Sequence, residues 1–332
     1  MKAIGYSRTG DVDVLQDIEL PKPHPGPRDL LVKVEAISIN PVDTKVRKRA
    51  AALPGDAYRV LGWDVAGTVE AVGDAVTLFQ PGDAVFYAGE LQRPGGNAEF
   101  QCVDERLVGH KPASLDWGQA AALPLTAVTA WEMLFDRMKI APDTTGALLI
   151  VGGAGGVGSI MIQLARKLTK LTVIATASRP ETAAWVERMG ARHVIDHRGD
   201  MKAQLQALGI QTVTYIASLT ASDEHRLLYS DIIAPQGYLS LIDDPASFDI
   251  MPFKSKSVTI CWELMFTRSL FETDDEIRQH EILERVSSLV EDGTLVTTEN
   301  ERGGRIDAAN LRAAHEASER GRSIGKTVLV GF

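Results

Sequence analysis

The 332 residues carry a net charge of −9, with 45% hydrophobic and 24% charged positions and a mean hydropathy of −0.04. This is the balance of a soluble globular chain with room for two domains. A negative field of this size argues against nucleic acid or anionic membrane as general partners. Two distant cysteines, Cys102 and Cys261, exclude a disulfide framework and a multi-cysteine zinc site. The opening MKAIGYSRTGDVD lacks the basic-then-apolar pattern of a signal peptide, so a cytoplasmic setting is expected.

In chain order, the first ~120 residues read as β-rich. Runs 30–39, 65–73 and 83–89 are bounded by Pro, Gly and Asp, with turn signals at PGPRD (25–29) and PGD (81–83). Such spacing suggests a small barrel or sandwich. Residues 116–138 read as helix interrupted at Pro124. From Ala147, strand and helix alternate. ALLIVGG is an all-apolar strand, VGSIMIQLARKL a helix, LTVIATA (171–177) a strand and ETAAWVERMG a helix ending on Gly190. Further strands are predicted at 193–196, 213–218, 237–243 and 258–265, followed by an amphipathic helix over 276–293, a last helix and a last strand. The pattern predicts an α/β chain whose doubly wound parallel sheet follows a β-rich region. The uncharged run from Thr144 to Ala165 is long enough to span a membrane, but its six glycines punctuate a strand, a turn and a helix.

Within that run, Gly153-x-Gly155-x-x-Gly158 follows a strand and opens a helix, the context in which this spacing binds a dinucleotide. The first glycine is expected to permit the tight turn, the second to admit a pyrophosphate, and the third to let helix pack on strand. Ala154, Gly155, Gly156 and Val157 are therefore expected at the pyrophosphate. No acidic residue lies between Ser159 and Pro180 to accept from a ribose 2′-hydroxyl, and the second strand runs into Ser178-Arg179. A hydroxyl and a guanidinium suit a 2′-phosphate, so NADP(H) is expected over NAD(H), with His197 at the same adenosine end. His193 and His197 do not form a metal pair, because on a strand they stand ~13 Å apart. The ends of the later strands, at Ser218, Asp243 and Trp262, are expected to line the nicotinamide and its ribose.

NPVDTKVR (40–47), GWDVAGTVEAVG (62–73), PGDAVF (81–86), GGNAEF (95–100), AAALPLTAVTAWEML (120–134), GGAGGVG (152–158) and GRSIGKTVLV (321–330) together resemble the medium-chain dehydrogenase/reductase superfamily. The likeness covers nearly the whole chain and is nearest the zinc-independent quinone oxidoreductases of the zeta-crystallin type. LIDDP (241–245) and WELMFTR (262–268) are similar to a bacterial subgroup often called the zinc-binding alcohol dehydrogenase family. The resemblance implies a GroES-like β-rich catalytic domain over 1–122 and 271–332 and a Rossmann NADP-binding domain over 123–270. Zinc-dependent members carry a Cys, a Gly-His-Glu segment and a Cys or acid at the domain junction. Here those places hold Asn40, Gly62-Trp63-Asp64 and PLTAVTAW, so no zinc is expected.

The resemblance further implies hydride transfer from NADPH to a quinone or an α,β-unsaturated carbonyl. It places Lys45 and Thr129 near the cofactor, and Arg322 and Lys326 are expected to add positive charge near the phosphates. Asn40, Tyr58 and Trp63 are the substrate-side candidates: an amide at a lost ligand position, a phenol able to donate or stack, and an indole walling an aromatic site. Asp64 is expected to be a buried, hydrogen-bonded structural carboxylate. A homodimer paired through the edge strand VTICWELM is expected. Two alternatives stand beside the quinone or enone reductase. One is another zinc-free alkenal or enoyl thioester reductase, for which RKR (47–49) would supply a basic entrance. The other is a non-catalytic NADPH-binding sensor.

Overall fold

The computed structural model describes residues 1–332. They form two units, Met1–Val128 with Phe266–Phe332, and Thr129–Met265. The first unit begins with β1 (Lys2–Tyr6), β2 (Gln16–Glu19), β3 (Asp29–Ser38), α1 (Pro41–Arg49) and β4 (Arg59–Val60). It continues with β5 (Val65–Val72), β6 (Ala84–Tyr87), β7 (Phe100–Asp104), β8 (Val108–His110), α2 (Trp117–Ala121) and α3 (Pro124–Trp131). Pro124 opens α3, where a missing amide hydrogen costs nothing, so the expected interruption is a boundary between two helices. The break between the units, after Val128, falls inside α3.

The second unit alternates β9 (Ala147–Val151), α4 (Gly156–Leu168), β10 (Thr172–Thr176), α5 (Pro180–Met189), β11 (His193–Ile195) and α6 (Met201–Ala207). It closes with β12 (Val213–Ser218), α7 (Ser222–Ile232), β13 (Ile233–Leu241) and β14 (Thr259–Trp262). All its sheet pairs are parallel, in the order β11-β10-β9-β12-β13-β14. This is the doubly wound Rossmann arrangement, with its reversal between β9 and β12. Leu149, Val151, Ile174, Ile216 and Leu239 are fully buried, which explains the near-continuous apolar runs. α5 ends on Gly190 with φ of 109°, a left-handed position that glycine takes without strain.

The chain returns to the first unit through α8 (Thr267–Leu270), α9 (Arg278–Glu291), β15 (Glu299–Arg302), α10 (Ala308–Glu319) and β16 (Lys326–Val330). Its larger sheet has the order β15-β16-β3-β5-β6-β8, with β7 also paired to β3, and a smaller one has the order β2-β1-β4. The C-terminal β16 lies antiparallel beside β3, with Val328 opposite Ser38. That pairing sets Lys326 close to the turn from β3 into α1. No helix is long and apolar enough to cross a membrane, and both cysteines are free.

Candidate functional site

The nucleotide turn lies between β9 and α4. Gly152, at φ of 87°, is the residue that makes the left-handed turn. The expectation gave this role to Gly153. Gly153 instead allows close packing, since a Cβ there would lie 2.8 Å from the Ala175 Cβ on β10. A Cβ on Gly158 would lie 2.5 Å from the Gly153 carbonyl oxygen and 2.6 Å from that of Gly152, so α4 can sit this close to the turn only without a side chain. Around Gly155 the nearest atom to an added Cβ is 3.6 Å away, leaving the space above the turn open.

Gly155 is the N-cap of the thirteen-residue α4 and offers no side-chain cap, and the first turn holds no acid. Gly156 and Val157 are half-buried beside it, while Ala154 is buried. Uncapped amides with a partial positive charge, under open space, fit a pyrophosphate. The helix is pinned from below: Ser159 Oγ donates to the Gly155 carbonyl at 2.7 Å and accepts from Trp185 Nε1 at 2.8 Å.

Ser178, Arg179 and His197 follow the ends of the paired strands β10 and β11. The parallel register sets Thr176 opposite Ile195, and Ser178 and His197 each lie two residues beyond that pair along their own strands. Arg179 caps α5, its Nε pairing with Glu181 at 3.0 Å. Sequence reasoning missed Arg198, whose guanidinium reaches the Ser178 carbonyl. The parallel register was the signal that could have found it.

Two of the residues expected at the nicotinamide are spent on the fold. Ser218 is fully buried, with Oγ 2.7 Å from Ser222 Oγ and 2.9 Å from the Tyr229 hydroxyl. Asp243 accepts from the Ser222 amide at 2.9 Å and from its hydroxyl, and so holds the start of α7. Burial raises the Tyr229 hydroxyl well above its ordinary pKa, so it takes part in this network as a neutral hydroxyl. Both assignments are corrected to helix positioning. Trp262 is exposed at the end of edge strand β14, and Thr129 is buried on α3.

In the first unit, Asp64 stands at the centre of a buried cluster. Its Oδ1 accepts from the Leu125 amide at 2.8 Å. Its Oδ2 accepts from Asn40 Nδ2 at 2.8 Å and Ser38 Oγ at 3.1 Å, and pairs with Lys326 Nζ at 3.0 Å. Lys326 also donates to the Ile39 carbonyl at 2.7 Å and to Asn40 Oδ1. Asp64 is thus a structural carboxylate joining the end of β3, the starts of α1 and α3, and β16. Lys326, expected near the phosphates, is 3% exposed and serves as its counter-ion. A buried carboxylate needs such a partner. Arg322 lies apart, on the exposed turn before β16.

Asn40 and Trp63 are corrected with it. Both ends of the Asn40 amide are engaged, Nδ2 reaching also the Trp63 carbonyl at 3.2 Å, so none is left for a substrate carbonyl. Trp63 is fully buried, donates Nε1 to the Glu90 carbonyl at 2.9 Å and packs edge-to-face on Phe266. It is a core residue and walls no open site. Asp43, at the third position of α1, accepts from the Asn40 amide at 2.7 Å and the Gly62 amide at 3.2 Å. Burial is the main reason its pKa is pushed up to about 7; the Lys326 charge and the two amides oppose the rise.

Tyr58 is half-buried and lines a cavity of about 310 Å³ with Pro21, Pro23, Phe100 and Arg93. Lys45 is half-buried on α1. The expected basic entrance at 47–49 does not form. Arg47 is fully buried against His315, Glu319 and the Gly10 carbonyl, and Lys48 also pairs with Glu319.

The donor set does not fit a catalytic zinc. Asn40 and Trp63 stand at two ligand positions, all of Asp64's bonding is internal, and no three His, Cys, Asp or Glu side chains converge anywhere in the chain.

The model of the alcohol dehydrogenase GroES-like domain matches residues 26–123, and that of the zinc-binding dehydrogenases matches residues 156–279. A zinc-type alcohol dehydrogenase-like protein of Staphylococcus aureus is 40% identical over 337 residues, covering 99% of both chains. The NADPH-dependent alkenal/one oxidoreductase of Arabidopsis thaliana chloroplasts is 38% identical over 206 residues, 59% of this chain and 52% of that one. A structure from Rhizobium etli, named for a zinc-dependent alcohol dehydrogenase, superposes with a TM-score of 0.96 at 54% identity, covering 100% of this chain and 98% of that one. The quinone oxidoreductase of Coxiella burnetii gives 0.81 at 28%, covering 99% of each.

Proposed function

Since the chain belongs to the medium-chain dehydrogenase/reductase superfamily of oxidoreductases, we propose that it is a zinc-independent reductase that uses NADPH to reduce a quinone or an α,β-unsaturated carbonyl. The observation that carries this reading is the closed Asp64–Lys326–Asn40 cluster, which fills the place of a metal site with internal bonds. Without a Lewis acid, direct carbonyl–alcohol interconversion lacks its electrophile. A conjugated acceptor spreads the developing charge itself, and ordinary hydrogen-bond donors suffice for the remainder. The relatives named for alkenal/one and quinone reduction support this substrate class.

The reduced nicotinamide, when bound, supplies the hydride. The chain's own residues bind and orient. The amides that open α4 hold the pyrophosphate, and Ser178, Arg179 and His197 recognise the 2′-phosphate. Asp64 and Lys326 fix the starts of α1, which carries Lys45, and of α3, which carries Thr129. Of the substrate-side candidates, Tyr58 alone is retained, because it borders an open cavity and has not been absorbed into the core.

The same reading makes the protein a cytoplasmic homodimer joined along β14. That edge strand ends on exposed Trp262, followed by exposed Leu264, an apolar edge that pairing would cover.

The test follows NADPH oxidation against quinones, enones and enoyl thioesters, with metal content measured on the same protein. Turnover of a quinone or enone without zinc is the expected result. Near-stoichiometric zinc, or NADPH binding with no turnover of any acceptor, would overturn the reading.

A further inference from the structure

The adenosine end of the nucleotide region holds a cation to which the site described above gives no task. Arg198 lies three residues beyond the end of β11, whose last residue, Ile195, pairs with Thr176 of β10. Its guanidinium turns back across the strand ends. Nη2 donates to the Ser178 carbonyl, and Nε and Nη2 bond the Asp196 carboxylate at 2.8–3.3 Å. One edge of the fork is therefore used, while Nη1 makes no hydrogen bond within the protein. The side chain is 63% exposed, and beside it the enclosed Nδ1 of His197 has no partner. Arg179 offers a second guanidinium from the end of the neighbouring strand β10.

We propose that Arg198 is a specificity-determining residue: its Nη1 bonds the 2′-phosphate of NADPH while its Nη2 fixes the backbone of Ser178. The inference rests on the NADPH reading and assigns that reading a second guanidinium. A phosphate dianion accepts several charge-assisted hydrogen bonds, and two planar forks on adjacent strand ends match that capacity. A ribose 2′-hydroxyl presents one neutral acceptor and gains little from the same fork. Asp196 has two opposing effects. It holds the guanidinium in place, and its fixed negative charge, kept ionised by Arg198, repels an incoming phosphate. Geometry is thus supplied at a cost in affinity, which gives the proposal a sign that a purely structural ion pair lacks.

The test compares equilibrium binding of NADPH with NADH, and of adenosine 2′,5′-bisphosphate with adenosine 5′-monophosphate, to the full chain. The wild type is expected to prefer the 2′-phosphorylated member of each pair. Arg198→Ala should weaken that member about tenfold and leave the other within about twofold. Asp196→Asn should tighten the phosphorylated ligands several-fold, an arm that stands even if Arg198→Ala fails to fold. Equal losses for both members with Arg198→Ala, or weaker phosphate binding with Asp196→Asn, would overturn the role of Arg198. If Arg179→Ala still weakens only the phosphorylated member of each pair under that outcome, the NADPH reading survives it. A wild type that binds the members of each pair equally overturns both.

Discussion

The nucleotide turn and the Asp64 cluster are built in opposite ways. At the turn, function lies in the backbone: side chains are absent, amides are uncapped and the space above Gly155 is open. In the cluster the side chains close on one another, so that Asp64, Asn40 and Lys326 are all buried and bonded internally. The first region stays incomplete until a ligand arrives. The second is complete in the free chain, and its work is to hold four segments together. The two should therefore respond to mutation in different currencies, affinity at the turn and stability in the cluster.

The largest effect is expected in the cluster. Asp64→Ala or Lys326→Met leaves a buried charge without its partner, a change that costs about 3–5 kcal/mol. The double variant Asp64→Ala/Lys326→Met should cost less than the sum, because no orphaned charge remains. Denaturant unfolding measures both. Losses that simply add would mean that the pair at 3.0 Å is not coupled.

Next comes the pH dependence that the same cluster imposes. With its pKa pushed up to about 7, Asp43 binds a proton more tightly in the folded chain than in the unfolded one, where it is an ordinary carboxyl. The folded state therefore loses stability as pH rises from about 4 to 7, and the loss is complete above that window. It is on the order of 2–4 kcal/mol. Asp43→Asn should flatten this part of the stability–pH curve, as followed by urea unfolding at several pH values. An unchanged slope would assign the effect to another group.

These two regions also differ in how far the sequence revealed them. The spacing of Gly153, Gly155 and Gly158 after an apolar strand was sufficient to place the turn, because close approach and missing side chains are written directly as glycine. It did not show that Gly152 takes the left-handed conformation, since adjacent glycines are interchangeable in a pattern. In the cluster the sequence marked Asp64 as a buried structural carboxylate but misassigned Asn40 and Trp63 to the substrate. What each side chain does depends on Lys326, more than 250 residues away, brought in by the pairing of β16 with β3. Lys326 in GRSIGKTVL looked like a cation near the cofactor phosphates, and Ser218 and Asp243 looked like crevice residues at strand ends. Burial and bonding partners decided otherwise, and no local pattern encodes them. The short strands β1, β2 and β7 were missed for the same reason, as their pairing is long-range.

A third change brings both currencies into one residue. Gly158→Ala would press a methyl against the carbonyls of Gly152 and Gly153, at 2.6 and 2.5 Å. Overpacking of this kind costs about 1–3 kcal/mol. It should also shift the start of α4 and weaken NADPH binding. A melting curve and a binding titration on the same sample test both; normal stability would show that the helix can slide without strain.

Gly155→Ala should have the smallest effect on stability and the sharpest meaning. Its backbone, at φ −74° and ψ 175°, suits any residue, and the nearest atom to the new methyl is 3.6 Å away. Stability should therefore stay within about 0.5 kcal/mol of the wild type. If the open space above the turn is where a pyrophosphate approaches, the same methyl intrudes on the ligand, and NADPH and NADH should weaken together. That equal loss separates Gly155 from Arg179 and Arg198, whose replacement should discriminate between the two nucleotides. Unchanged stability with unchanged affinity would move the pyrophosphate away from this turn and remove the contrast between an open region and a closed one.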